Sequence, residues 1–263
     1  MVEISIAGLP ARAGQHDFNT PIRRKIRKVL DIVGWSVVLL LLFVGLSSLL
    51  SRVVLLNSEF SREVVDIGNG VSNFDIRYIQ HYFVAGVHLL FGLIVYVFAP
   101  FQFMTSIRKR FIGFHRWSGR AWMISGAVAG FTGAFFGVVW PFTGHQGFGL
   151  LQTGINVIIG PYTLFCLLRA YSNIRARNFG EHREWMIRTF ALMLGVATQR
   201  VLMIILSVLT EIGREPMFAP AMIAGMIINI AAAEYWITLT RTPGSGHRHW
   251  KDFDRSFARG KSK

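Results

Sequence analysis

Six long runs of mainly apolar residues constrain this chain more than any other feature of its sequence. They lie at roughly 32–55, 78–103, 116–140, 148–171, 186–209 and 217–239. A helix needs about 20 such residues to cross the hydrocarbon core of a bilayer. Inside lipid, a helix satisfies its own backbone hydrogen bonds. The sequence therefore predicts an all-α integral membrane protein with six transmembrane helices.

The overall composition agrees with a membrane location. Hydrophobic residues make up 52% of the chain and charged residues 16%, which is too apolar for an ordinary soluble domain. The formal net charge is +14, but the basic residues lie between the apolar runs and not along one polar face. This distribution argues against a nucleic-acid partner and favours the lipid bilayer.

The basic residues also predict an orientation. Of the 28 Lys and Arg residues, 23 fall on one side of the six-span arrangement. The other side holds Arg52, Arg62, Arg77 and Arg214, and Arg200 lies inside a span. Basic loops stay in the cytoplasm, so both termini are predicted to be cytoplasmic. The predicted organisation is a basic tail at 1–31, a transmembrane domain at 32–240 and a second basic tail at 241–263.

A sequence echo joins the two basic turns. Residues 106–117 and 173–183 match at six positions with a constant offset of 67: Ile107/Ile174, Arg108/Arg175, Arg110/Arg177, Gly113/Gly180, His115/His182 and Arg116/Arg183. With a slip of one residue, 86–92 also resembles 154–160. A fixed offset indicates a duplicated unit. The unit is predicted to be a helical hairpin, with copies at about 78–140 (spans 2–3) and 148–209 (spans 4–5).

The duplication predicts where two histidines meet. An axis along the membrane normal would bring His115 and His182 together near the cytoplasmic surface. Two histidines on facing helices of a bundle can ligate the iron of haem b. Neighbouring cations could neutralise the haem propionates; they are Arg116, Arg120, Arg183 and Arg188. Alternatively, the histidines only mark helix starts, and the arginines reach lipid phosphate.

A second polar layer is predicted deeper in the spans. His88, Asn156 and Arg200 fall at similar depths, with Gln199 beside Arg200 and His81 seven residues before His88. Polar and charged groups in hydrocarbon usually mark function. The layer could hold a second cofactor, a quinone-like head group or a translocated polar substrate. It could also be a structural knot between helices.

Two stretches resemble a bacterial family of predicted membrane proteins described only as a domain of unknown function. One runs from His88 to the motif HRWSGR at 115–120, and the other from the motif HREWMIR at 182–188 to Arg200. The resemblance implies a multi-span protein of the bacterial cytoplasmic (inner) membrane.

The layout is also similar to cytochrome b561. In that family, haem-ligating histidines pair between the second and fourth and between the third and fifth spans. His115 and His182 occupy the third and fifth spans, whereas Asn156 stands where a fourth-span histidine is expected. The similarity implies one haem b between His115 and His182.

Three functional interpretations follow. The first is a transmembrane electron-transfer protein with haem b and a quinone or another redox partner. The second is a transporter or small-ligand binding protein that uses the layer of His88, Asn156 and Arg200. The third is a membrane scaffold without a cofactor. No Walker loop, HExxH motif or strand-linked GxGxxG occurs, and enzyme activity and oligomeric state stay open.

Overall fold

The computed structural model describes residues 21–60, 78–140, 148–212 and 214–241, and the described residues are helical without a β-strand. The helices are α1 (Pro21–Phe60), α2 (Tyr82–Phe103), α3 (Thr105–Arg110), α4 (Ile112–Val139), α5 (Phe148–Arg175), α6 (Phe179–Met193), α7 (Gly195–Leu209) and α8 (Arg214–Thr240). Most of the two predicted tails, at 1–20 and 242–263, lies outside the described residues.

Six helical stretches are long and apolar enough to cross a membrane, which confirms the six-span prediction. They are Lys28–Val54, Tyr82–Phe103, Ile112–Val139, Gly149–Arg175, Phe179–Leu209 and Pro216–Thr240. The predicted cytoplasmic orientation of the termini stays a prediction.

Several helices begin earlier than the apolar runs indicate. Helix α1 starts at Pro21, inside the segment predicted as a tail, and α6 starts at Phe179. Proline is favoured in the first turn of a helix, and Lys and Arg are good helix formers. A hydropathy pattern detects where lipid contact begins, which is not where the helix begins.

The chain divides into two units, and α1 crosses the boundary between them after Leu40. The unit at 41–240 holds the rest of α1 and all of α2 to α8. Within this unit, α2 packs against α4, α5 packs against both α4 and α6, and α8 packs against α5, α6 and α7. Both predicted hairpins therefore exist, as α2–α4 and α5–α7. Their origin by duplication stays a prediction.

Small residues allow α4 and α5 to approach closely. A Cβ atom placed on Gly160 of α5 would collide with the Cβ of Ala134 on α4. One placed on Gly137 would collide with the side-chain amide of Asn156. Close contact through small residues is a common way for helices to associate in lipid, where hydrophobicity gives no preference for helix over acyl chain.

The fifth span has a local irregularity in its middle, where α6 and α7 meet at Leu194. The backbone of Leu194 stays in the right-handed helical region: its N–H donates to Phe190 O at 2.9 Å, and its carbonyl accepts from Thr198 N–H at 3.0 Å. Side chains from two other helices bond carbonyls of this region: Tyr96 donates to Met193 O at 3.1 Å, and Asn229 donates to Ala191 O at 3.0 Å. These bonds link the fifth span to the second and sixth spans in a place where no water competes for the carbonyls.

Candidate functional site

The two hairpin turns place His115 and His182 in the first turns of α4 and α6. The backbone N–H of His115 donates to Phe111 O at 3.0 Å, and that of His182 donates to Asn178 O at 2.9 Å. The two imidazoles lie close enough for their charges to interact. We call the end of the bundle that carries both turns the basic end.

The ring of His182 is held in one orientation. Its Nδ1 lies 2.8 Å from the backbone oxygen of Ala170 on the neighbouring helix α5. A carbonyl oxygen only accepts hydrogen bonds, so Nδ1 must carry the hydrogen. In the neutral ring the lone pair then lies on Nε2, which is the arrangement that metal-bound histidines commonly have.

The ring of His115 has a different environment. Its Nδ1 is buried and has no hydrogen-bond partner in the described part of the chain. A buried polar atom without a partner is costly and uncommon in folded proteins. This nitrogen therefore marks a position where a bound molecule or water is expected.

The four candidate arginines divide into two groups. Arg183 donates to the hydroxyl of Thr240, and Arg188 pairs with Glu234. Both partners lie on α8. Arg116 and Arg120 are instead exposed on α4. The two turns thus differ although their sequences match: Arg183 and Arg188 bond side chains of α8, whereas Arg116 and Arg120 face outward.

One cation near the histidines was not among the candidates. Arg108, on the short helix α3, is close enough to His115 for their charges to interact, as is Arg116. The available signal was the pair Arg108/Arg175 in the matching turns. Arg108 lies near His115 because α3 packs beside α4. The spacing of residues in the sequence does not predict this packing.

In the half of the bundle away from the basic end, His88 on α2 and His81, directly before α2, face α4. The His81 ring stacks on Trp140 with ring centres 3.7 Å apart. His88 Nδ1 lies 3.0 Å from Ala129 O and 3.2 Å from the hydroxyl of Thr132. The seven-residue spacing does put both rings on one face of α2.

Asn156 contacts the same helix α4 from the other hairpin. Its amide packs against Gly137, and its Oδ1 accepts a hydrogen bond from Gln152 Nε2 at 3.3 Å. His88 packs in the same way against Gly133, one turn earlier on α4.

Gln199 and Arg200 are directed toward α8. Gln199 is fully buried, and its Nε2 donates to Phe218 O at 2.9 Å. The guanidinium of Arg200 lies 5.5 Å from the centre of the Phe218 ring. The contacts thus divide the predicted layer into two pairs. His88 and Asn156 pack against α4, whereas Gln199 and Arg200 pack against α8.

A family match covers every candidate site residue predicted from the sequence except His81. Residues 85–237, more than half of the chain, match the family model described as "Predicted membrane protein (DUF2306)". The chain belongs to this family. The match confirms the resemblance seen in the sequence. No curated protein and no solved structure matches the chain significantly.

This DUF2306 member has no large metal-binding cluster in its described part. No group of three or more His, Cys, Asp or Glu side chains is placed to hold a metal ion among those residues. A haem with two axial histidines needs only two protein ligands. The pair His115 and His182 therefore has as many candidate ligands as such a haem needs, although it is smaller than a group of three.

The polar contacts of Asn229 with the fifth span were not predicted from the sequence. Thr198 donates to Asn229 Oδ1 at 2.8 Å, and the Asn229 amide donates to Ala191 O. Asn229 lies in the sixth span, outside the two matching hairpins, so the sequence match between the hairpins does not include it.

Proposed function

We propose that this DUF2306 protein is a transmembrane electron carrier that binds one haem b between His115 and His182. The carrying observation is the hydrogen bond from His182 Nδ1 to Ala170 O, because it leaves Nε2 available as an iron ligand. The buried Nδ1 of His115, which has no hydrogen-bond partner in the described part of the chain, supports this histidine as the second ligand from α4.

The surroundings of the pair fit the needs of this cofactor. Toward the membrane interior, Phe103 stacks on Phe190 with ring centres 4.8 Å apart, and Trp122 lies 6.4 Å from Phe190. Trp122 lies two turns after His115 on α4 and Phe190 two turns after His182 on α6, so this apolar layer lies on the membrane side of the two histidines. Arg108 supplies positive charge near His115 for a propionate.

A haem held by these two histidines would supply one-electron chemistry. The electron donor that suits this location is a membrane quinol, which gives up two electrons and releases two protons on becoming a quinone. Each quinol would therefore reduce two equivalents of a one-electron redox protein as acceptor. The protein's part is to hold the two imidazoles and to set the polarity around them.

The experiment is a reduced-minus-oxidised absorption spectrum of the full chain purified in mild detergent. We expect b-type haem bands in the wild type, and their loss in His115→Ala and in His182→Ala. His81→Ala is the matched control, because this histidine lies in the half of the bundle away from the basic end. The haem bands should persist in this variant. A colourless wild type that takes up no added haemin would rule out the electron carrier.

The double variant tests the ligand assignment separately. If haem is present and survives in His115→Ala/His182→Ala, the cofactor is bound elsewhere. Circular dichroism and size-exclusion profiles of the variants establish that loss of colour does not reflect loss of fold.

A second candidate function is binding or transport of a small polar molecule in the half of the bundle away from the basic end. It is supported by Gln199, whose Oε1 is buried and has no hydrogen-bond partner within the described residues, next to the charge of Arg200. An anionic ligand would raise the melting temperature of the wild type, and Arg200→Gln would abolish the rise. Equal stabilisation of both proteins would exclude this site. A scaffold role would show neither haem nor ligand, but lower protein levels in the same variants.

A further inference from the structure

The turn between spans 2 and 3 carries four exposed cations. We call this the first basic turn and define it as Lys109, Arg110, Arg116 and Arg120. None of these four side chains forms an ion pair with a carboxylate within the described part of the chain.

An aromatic surface adjoins these cations on the membrane side. Trp117 is 60% exposed and Phe114 is 39% exposed. Trp117 lies edge-on to Phe98 at 5.7 Å, and Phe114 lies edge-on to Phe101 at 5.7 Å. Aromatic rings at this level are typical of the boundary between headgroups and acyl chains.

The matching turn of the second hairpin is used differently. Arg183, the counterpart of Arg116, donates to Thr240, and Arg188 pairs with Glu234. Helix α8 thus provides polar partners for the second hairpin. The first basic turn receives no such partner from the described helices and keeps its charges directed outward.

We propose that the first basic turn binds the headgroup of an anionic phospholipid whose acyl chains lie against the rings of Phe98, Phe101, Phe114 and Trp117. Clustered Lys and Arg at the membrane surface attract anionic lipid. The exposed rings give the acyl chains an apolar surface, which no soluble anion needs. This inference uses neither histidine, but it shares Arg116 and Arg120 with the haem proposal, so Lys109→Gln/Arg110→Gln is the variant that tests the lipid site apart from the haem.

The test measures phospholipid binding to the full chain by native mass spectrometry and by thermal unfolding in detergent. Phosphatidylglycerol and phosphatidylcholine are compared as the added lipids. We expect the wild type to retain and be stabilised by phosphatidylglycerol only. Arg116→Gln/Arg120→Gln should lower its affinity at least about tenfold. Lys109→Gln/Arg110→Gln, which lies outside the spans, should give a similar loss and covers the case in which the first variant does not fold.

The matched control is Arg175→Gln/Arg177→Gln. These two exposed arginines lie in the second turn, so the control removes the same charge from the same end of the bundle. It should retain phosphatidylglycerol. An equal loss in the control would show general attraction and overturn the site, as would equal retention of phosphatidylcholine by the wild type. Inorganic phosphate should not displace the lipid, and displacement would show a simple anion site.

Discussion

Arg188 on α6 and Glu234 on α8 form a bidentate ion pair across two helices. Arg188 Nε lies 2.5 Å from one carboxylate oxygen, and Nη2 lies 3.0 Å from the other. Two parallel bonds of this kind fix orientation as well as adding energy. Because the Glu234 side chain is 47% exposed, we expect the pair to contribute about 1 kcal/mol.

Removing either partner should lower stability by unequal amounts. We expect Glu234→Gln to lower the melting temperature in detergent by about 2–4 °C. Arg188→Gln should cost more, because Arg188 also lies 3.9 Å from the carboxylate of Glu184, which is only 2% exposed. The double variant should resemble Arg188→Gln. Losses that are equal and simply additive would contradict this coupling.

Asn229 is expected to stabilise the packing of the fifth span against α8. It accepts from Thr198 and donates to Ala191 O, so Asn229→Ala should cost about 1–2 kcal/mol by thermal unfolding. Asn229→Asp should cost more, because a carboxylate oxygen would then face the carbonyl of Ala191. Thr238→Val, an exposed position on the same helix, is the control and should be neutral. If Asp is tolerated better than Ala, the observed hydrogen bonds do not hold the fifth and sixth spans together.

The contact between Gly137 and Asn156 makes a prediction with an internal rescue. A methyl group at Gly137 would overlap the Asn156 amide, so Gly137→Ala should lower the melting temperature. Adding Asn156→Ala removes the obstacle and should recover part of the loss. Gly86→Ala is the control, since nothing lies within 4 Å of its Cβ position, and alanine is favoured over glycine in helices by up to about 1 kcal/mol. No rescue in the double variant would mean that α4 and α5 are not packed through this pair.

The spans were predictable because hydropathy is a local property of the chain. Six apolar runs gave six spans, and each run lies largely inside its helix. The side-chain bonds to the fifth span near Leu194 were not predictable, because they come from Tyr96 and Asn229, more than 30 residues away in either direction. Such tertiary contacts leave little trace in hydropathy.

The candidate site was predictable only where the two hairpins match each other. The constant offset predicted that His115 and His182 approach one another; both lie at the basic end within electrostatic range of each other, and their pairing around a cofactor stays a prediction. The roles of Arg183 and Arg188 did not follow, because their partners Thr240 and Glu234 lie on α8, which is outside the matching hairpins. The matching sequences predicted that the arginines of both turns have the same role. Helix α8 makes their roles differ, because it binds only those of the second turn.

The predicted orientation can be tested through the single cysteine of the chain. Cys166 is fully buried, so the wild type should react little with a membrane-impermeant maleimide. Ser106, in the first turn, and Glu211, at the opposite end of the spans, are both exposed. If the basic end is cytoplasmic, Glu211→Cys should be labelled in spheroplasts and Ser106→Cys only in inverted vesicles. The reverse pattern would place the basic end outside. It would also move the proposed haem and the anionic lipid site to the outer leaflet.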